Sequence, residues 1–213
     1  MKRLFITTVA LTGLLGLSFS PAKTEDRLIG LNIGDEIVMN DVKMASTDGK
    51  AYSLDDMKME NGLIVVFSCN TCPFVVGSEN FAGWENKYND LYKLASDKKI
   101  GFVLVNSNEA KRGDEDSMAE MKAHAAKKGY NMKYVVDENS KLANAFGGRT
   151  TPHVFFFDKN KKLIYTGAID NTVDSKRASD DNYLVNAIEN YSAGKSLQTA
   201  ETPPRGCSIK RVS

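Results

Sequence analysis

The chain has 213 residues, 42% hydrophobic and 26% charged, an ordinary globular composition with enough apolar residues for one sizeable core. Its formal net charge is +1 and its charges are interspersed, which gives no reason to expect nucleic acid or an acidic membrane surface as a partner. Three cysteines and two histidines supply a tetrahedral zinc site poorly, and no metal or other cofactor is called for.

Met1-Lys2-Arg3, the apolar stretch Leu4 to Leu17 and the small residues Ser18, Ser20 and Ala22 read as a secretory signal peptide over residues 1–22. The apolar stretch is too short to span a bilayer, so no membrane span is expected after cleavage. The mature chain is then periplasmic or extracellular, where disulfides persist. Residues 23–32 form a polar lead-in. Asp41 to Leu54 reads as a β-hairpin with a two-residue turn at Asp48-Gly49. Asn61-Gly62 turns into Leu63 to Phe67, a β-branched apolar run typical of a fully buried strand. Cys69 and Cys72 follow at once.

Phe74, Gly77, Phe81, Trp84, Tyr88, Leu91 and Ala95 fall at helical spacing and predict an amphipathic helix, broken in its first half by Gly77 and Gly83. Ile100 to Val105 is a second apolar strand. The charged segment 109–116, with Asp114-Glu115-Asp116, reads as a solvated loop before a helix from Ser117 to Lys128, whose lone His124 is assigned no chemistry. Tyr134 to Val136 is a short strand. Asp137 to Ser140 offers capping oxygens to a helix that runs through Phe146 and closes at Gly147-Gly148. Thr151-Pro152 precedes the strand His153 to Phe157, which returns antiparallel as Leu163 to Thr166. A last amphipathic helix is marked by Leu184, Ala187, Ile188 and Tyr191, and residues 196–213 form a tail with Pro203-Pro204 and Cys207. Alternating β and α units predict an α/β fold: one domain over residues 33–195, with a mixed central sheet, helices on both faces and an N-terminal β-hairpin.

Two thiols at a strand-to-helix junction point to redox chemistry. Backbone N–H groups at a helix start stabilise a thiolate, and a second thiol one turn away can close or release a disulfide. A purely structural bridge across so short a loop gains little loop-closure entropy.

These features resemble the thioredoxin-like fold, in its redoxin branch of alkyl hydroperoxide reductase/thiol-specific antioxidant relatives and extracytoplasmic thiol-disulfide oxidoreductases. The resemblance rests on Val66-Phe-Ser-Cys-Asn-Thr-Cys-Pro-Phe74, on Thr151-Pro152 before the His153 strand, and on the N-terminal hairpin. It implies a three-layer fold, a cis peptide at Pro152, and a dithiol site without a cofactor. In that site Cys69, exposed at the helix start, attacks a disulfide of a protein partner and Cys72 resolves it. Thr151 and Pro152 would then position the partner chain. Ser68 stands where many relatives have tryptophan, and the dipeptide between the thiols is Asn70-Thr71. Candidates for the proton-accepting carboxylate common in this fold are Asp55, Asp56 and Glu60, all reading as surface acids. Cys207 is a candidate accessory thiol. One alternative is a peroxiredoxin-like thiol peroxidase. Its proline and hydroxyl register fails for both cysteines, and its late arginine would be Arg149. The other is a non-enzymatic Cu(I)/thiol carrier using Cys69, Cys72 and His153.

Overall fold

The computed structural model describes Met1 and residues 30–212, so the predicted leader and most of the lead-in lie outside the described residues. Strands β1 (Met44–Ala45) and β2 (Ala51–Tyr52) pair antiparallel as the expected hairpin. Its turn is longer than predicted. The Ser46 N–H donates to the Lys50 carbonyl at 2.8 Å and the Gly49 N–H to the Ser46 carbonyl at 3.0 Å. Gly49 takes φ 84°, so a three-residue loop with glycine in the left-handed position replaces the two-residue turn. Helix α1 (Leu54–Met57) starts on a capping box in which the Asp56 N–H donates to Ser53 Oγ and the Ser53 N–H to Asp56 Oδ2. Asp55, Asp56 and Glu60 pair with Lys161, Lys43 and Lys99 at the surface, which accounts for all three upstream acids without chemistry.

Strand β3 (Leu63–Ser68) leads through the two cysteines into α2 (Pro73–Val76), a 3-10 turn at Trp84–Lys87 and α3 (Tyr88–Asp97). The predicted break is real. Gly77 and Gly83 have φ of 100° and 79°, and a Cβ on Gly83 would sit 2.4 Å from the Val75 carbonyl oxygen. Next come β4 (Gly101–Asn106), α4 (Met118–Lys128), β5 (Lys133–Val136), α5 (Lys141–Phe146), β6 (Thr150–Thr151), β7 (His153–Phe157) and β8 (Leu163–Gly167). Helix α6 (Tyr183–Ser192) and β9 (Cys207–Ser208) complete the chain.

The central sheet has the order β5-β4-β3-β7-β8. β3 pairs parallel with β4 and antiparallel with β7, placing Val66 between Leu104 and Val154. With both neighbours present, every residue of β3 is buried, which is why it reads as an unbroken apolar run rather than an alternation. Its side chains still divide by parity. Ile64 and Val66 join Leu91, Ala95, Leu184 and Ile188 from α3 and α6 in one core, while Leu63, Val65 and Phe67 join Leu54, Leu142 and Phe146 from α1 and α5 in the other. Each of the larger apolar side chains among them contributes about 1.5–3 kcal/mol on burial. The expected three-layer arrangement is therefore the observed one. β3 is the central strand, and its carboxyl end carries the two thiols.

Candidate active site

Helix α2 begins at Pro73, with Cys72 as its N-cap, so Cys69 stands before the helix rather than at its start. Proline at the first helical position costs no hydrogen bond. The Cys72 N–H turns back and donates to Cys69 Sγ at 3.3 Å. The Thr151–Pro152 peptide is cis. Thr151 meets both sulfurs: its hydroxyl lies 3.2 Å from Cys69 Sγ, and its carbonyl lies 3.1 Å from Cys72 Sγ and accepts from that thiol when it is protonated.

Cys69, expected to be exposed, is only 2% exposed, and Cys72 5%. Cys69 is enclosed by Thr151 and Cys72, and Cys72 by the C-terminal segment, which docks as β9 along β6. Thr151 pairs with Cys207, and the Cys207 N–H points at Cys72 Sγ from 3.4 Å. The two buried thiols share their protons unequally. Donation from the Cys69 S–H, opposed by burial and assisted by Cys207, draws the Cys72 thiol down to about 5. The Cys72 charge and burial hold Cys69 well above the ordinary thiol range. Burial and the same charge push Cys207 up to about 11. The pair therefore titrates apart, one thiol below and the other above the ordinary range.

The loop between the thiols is anchored from below. The Asn70 N–H donates to Asp116 Oδ1 at 2.9 Å, its side-chain amide donates to the Glu115 carbonyl at 2.8 Å, and its Oδ1 accepts from the Tyr134 hydroxyl at 3.0 Å. Asp116 also accepts from the side-chain amides of Asn106 and Asn108, at 2.7 and 2.9 Å. It is fully buried, which corrects the solvated-loop reading of residues 114–116. Sequence reasoning missed it because its neighbours Asp114 and Glu115 are exposed. The available signal was Asn106-Ser107-Asn108, an amide cluster at the carboxyl end of a buried strand, where ligand and catalytic groups of α/β sheets collect.

The other flagged residues are held elsewhere. His153 accepts the Arg149 N–H on Nδ1 at 3.2 Å and faces the Thr166 hydroxyl with Nε2 at 3.3 Å. Burial pushes it down to about 3, so the ring is neutral and turned to these partners. The Arg149 side chain is exposed. His124 lies 2.7 Å from the buried Glu85, which also accepts from the Tyr130 hydroxyl at 3.0 Å, a polar cluster under α4. Among the described residues no group of three or more His, Cys, Asp or Glu side chains is arranged to hold a metal ion. A cleft of about 600 Å³ borders Asn70 and Thr71 and is walled by Glu115, Glu120, His124 and Lys127.

Residues 33–184 match the family model described as Redoxin. Among solved structures, the chain is similar to a hypothetical protein from Sinorhizobium meliloti. The two share 25% identity with a TM-score of 0.75, over 86% of this chain and 97% of that one. It is also similar to an uncharacterized conserved protein from Geobacillus kaustophilus, at 28% identity and a TM-score of 0.73, over 85% of this chain and 93% of that one. Among curated proteins none matches.

Proposed function

The chain belongs to the Redoxin family of thioredoxin-like, thiol-based redox proteins, and from that premise we propose that it is an exported thiol-disulfide oxidoreductase acting on protein partners through Cys69 and Cys72. The observation that carries this reading is the pair itself: two cysteines joined by the Cys72 N–H to Cys69 Sγ bond and both set against Thr151 of the cis Thr151–Pro152 peptide, with one thiol drawn down to about 5. At neutral pH such a pair holds one thiolate and one thiol, the two forms that successive exchange steps use. The thiolate attacks a partner disulfide, forming a mixed disulfide and expelling the partner's other sulfur as thiolate. The remaining thiol of the pair then loses its proton and attacks the enzyme sulfur of the mixed disulfide. The partner leaves as a dithiol, and a Cys69–Cys72 disulfide remains. The reverse sequence oxidises a partner. Thr151 and Pro152 flank the sulfurs, and because β9 pairs along the Thr151 edge a partner segment approaches over that strand or displaces it. Export rests on the leader pattern of residues 1–22, with the mature chain in the periplasm or outside the cell.

The test uses the mature chain and its Cys69→Ser and Cys72→Ser variants, assayed side by side for reduction of a disulfide-bonded protein, peroxide consumption and Cu(I) retention, with cell fractionation for location. Disulfide exchange lost in both variants, with slow peroxide turnover throughout, is the expected result. Fast peroxide turnover would replace the proposal with a thiol peroxidase, and tight Cu(I) retention without turnover would replace it with a carrier.

A further inference from the structure

The third cysteine is built into the site. Gly206 lets β9 press on the cis peptide, since a Cβ there would lie 2.2 Å from the Thr151 carbonyl oxygen. Beyond Cys207, the Ile209 N–H donates to the Arg149 carbonyl at 3.0 Å and its side chain is buried. The Lys210 N–H donates to Asn108 Oδ1 at 2.8 Å, and the Lys210 carbonyl accepts from the Ala110 N–H at 2.9 Å. Before it, Thr202 Oγ1 accepts from the Ala168 N–H at 2.9 Å. Cys207 is therefore held between two anchors. Its N–H donates to Cys72 Sγ at 3.4 Å, and the Cys72 N–H donates in turn to Cys69 Sγ at 3.3 Å. Cys72 has a thiol neighbour on each side, and the outer one is the most exposed of the three.

We propose that Cys207 is a third redox thiol: Cys72 alternates between Cys69 and Cys207 as disulfide partner, and the disulfide passes from the enclosed pair to β9, where external thiols reach it. This rests on the exchange function proposed for the Cys69–Cys72 pair. Starting from the Cys69–Cys72 disulfide, Cys207 gives up its proton and its thiolate attacks Cys72 Sγ. A Cys72–Cys207 bond forms, the Cys69–Cys72 bond breaks, and the electron pair leaves on Cys69, which takes up a proton. Nothing is oxidised or reduced overall. Oxidation of the pair removes the Cys72 charge that helps hold the proton on Cys207, while Cys69, once released, binds a proton firmly. A partner dithiol then attacks Cys207 Sγ with one thiolate, expelling Cys72, whose low pKa makes it the better leaving group. The partner's second thiolate attacks its own sulfur in the mixed disulfide and expels Cys207. The partner leaves as a disulfide, and the enzyme is left with three reduced sulfurs.

Tryptic cleavage separates the two ends of the proposed bond, because Cys69 and Cys72 share the peptide 59–87 while Cys207 lies in 206–210. The full mature chain and its Cys69→Ser and Cys72→Ser variants are equilibrated in a glutathione redox buffer, alkylated, digested without reduction and analysed by mass spectrometry. A cross-link between the two peptides is expected as the major species in Cys69→Ser and is expected to be absent in Cys72→Ser. In parallel, the oxidised wild type and Cys207→Ser are reduced by a small dithiol under rapid mixing, with a tenfold or greater slowing expected in Cys207→Ser at an unchanged melting temperature. A Cys69→Ser chain carrying glutathione on Cys72 and a free Cys207, or an unchanged reduction rate in Cys207→Ser, overturns the third-thiol role and leaves the Cys69–Cys72 function standing. Oxidised wild type with no disulfide at all overturns both.

Discussion

Replacing Asp116 tests whether the loop that carries the thiols is held by its buried carboxylate. Asp116 accepts three N–H donors: the Asn70 backbone at 2.9 Å and the Asn106 and Asn108 amides at 2.7 and 2.9 Å. Asp116→Ala leaves all three without their acceptor beneath a closed surface, and a buried unsatisfied donor costs about 1–3 kcal/mol. The expected loss is at least about 3 kcal/mol, a large share of the roughly 5–15 kcal/mol typical of a whole domain. Asp116→Asn keeps an oxygen for Asn70 and Asn106 and disturbs only the bond to Asn108, so its loss is about 1–2 kcal/mol. It also removes a negative charge that raises the Cys69 thiol, so Cys69 becomes more acidic. Denaturant unfolding of the reduced proteins gives the first quantity, and thiolate absorbance as a function of pH gives the second. An Asp116→Ala chain within about 0.5 kcal/mol of wild type, the range of an ordinary surface change, would refute the anchoring role.

In the reduced wild type, thiolate absorbance should show one ionisation near pH 5 and the other two above pH 9, and a single merged transition in the ordinary thiol range would contradict the unequal sharing. His153 titrates at about 3 in the fold against 6.5 for the free side chain, so between those values the unfolded chain binds the extra proton. Stability from this residue is therefore whole above pH 6.5 and is lost as pH falls toward 3, by at most about 1.4 kcal/mol per pH unit. His153→Gln should flatten that acid limb of the stability curve, and an equally steep limb in the variant would count against it. Gly83→Ala should destabilise by about 1–3 kcal/mol in denaturant unfolding, because its Cβ meets the Val75 carbonyl at 2.4 Å in a left-handed conformation; a neutral result would show that the α2–α3 break can relax.

The central sheet was legible because its signals are local. The apolar run from Leu63, the paired glycines at 77 and 83, and Thr151-Pro152 each carry their meaning within a few residues. The hairpin was legible in place but not in turn length, because Asp48-Gly49 serves a three-residue loop as readily as a two-residue one. The burial of Asp116 was illegible, and Cys207 was legible as a candidate accessory thiol but not in its placement, for one shared reason. An aspartate beside Asp114 and Glu115 is charged by type and buried only by the partners that arrive from the loop after β3 and from β4, as Asn70 and Asn106 do. A cysteine after two prolines sits in a two-residue strand whose partner, Thr151, lies more than fifty residues upstream, and no periodicity announces so short a strand. The exposure expected for Cys69 failed too, since its sulfur lies buried against the Thr151 hydroxyl, which is distant in sequence.

Closure of the site by its own chain has a chemical consequence. The edge of Thr151 is the edge along which a partner segment would have to lie to bring its sulfur to Cys72, and β9 already pairs there. An apolar residue at position 207 would make that strand only a cover, and each exchange would require β9 to detach against the burial of Ile209 and its flanking hydrogen bonds. A thiol at that position changes the requirement. Cys207 is the least buried of the three thiols and its N–H lies 3.4 Å from Cys72 Sγ, so under the proposed exchange a disulfide crosses the cover while the cover stays in place. Gly206 and Ile209 hold the strand on either side of that thiol, so the proposed exchange needs no ordering of a loose tail.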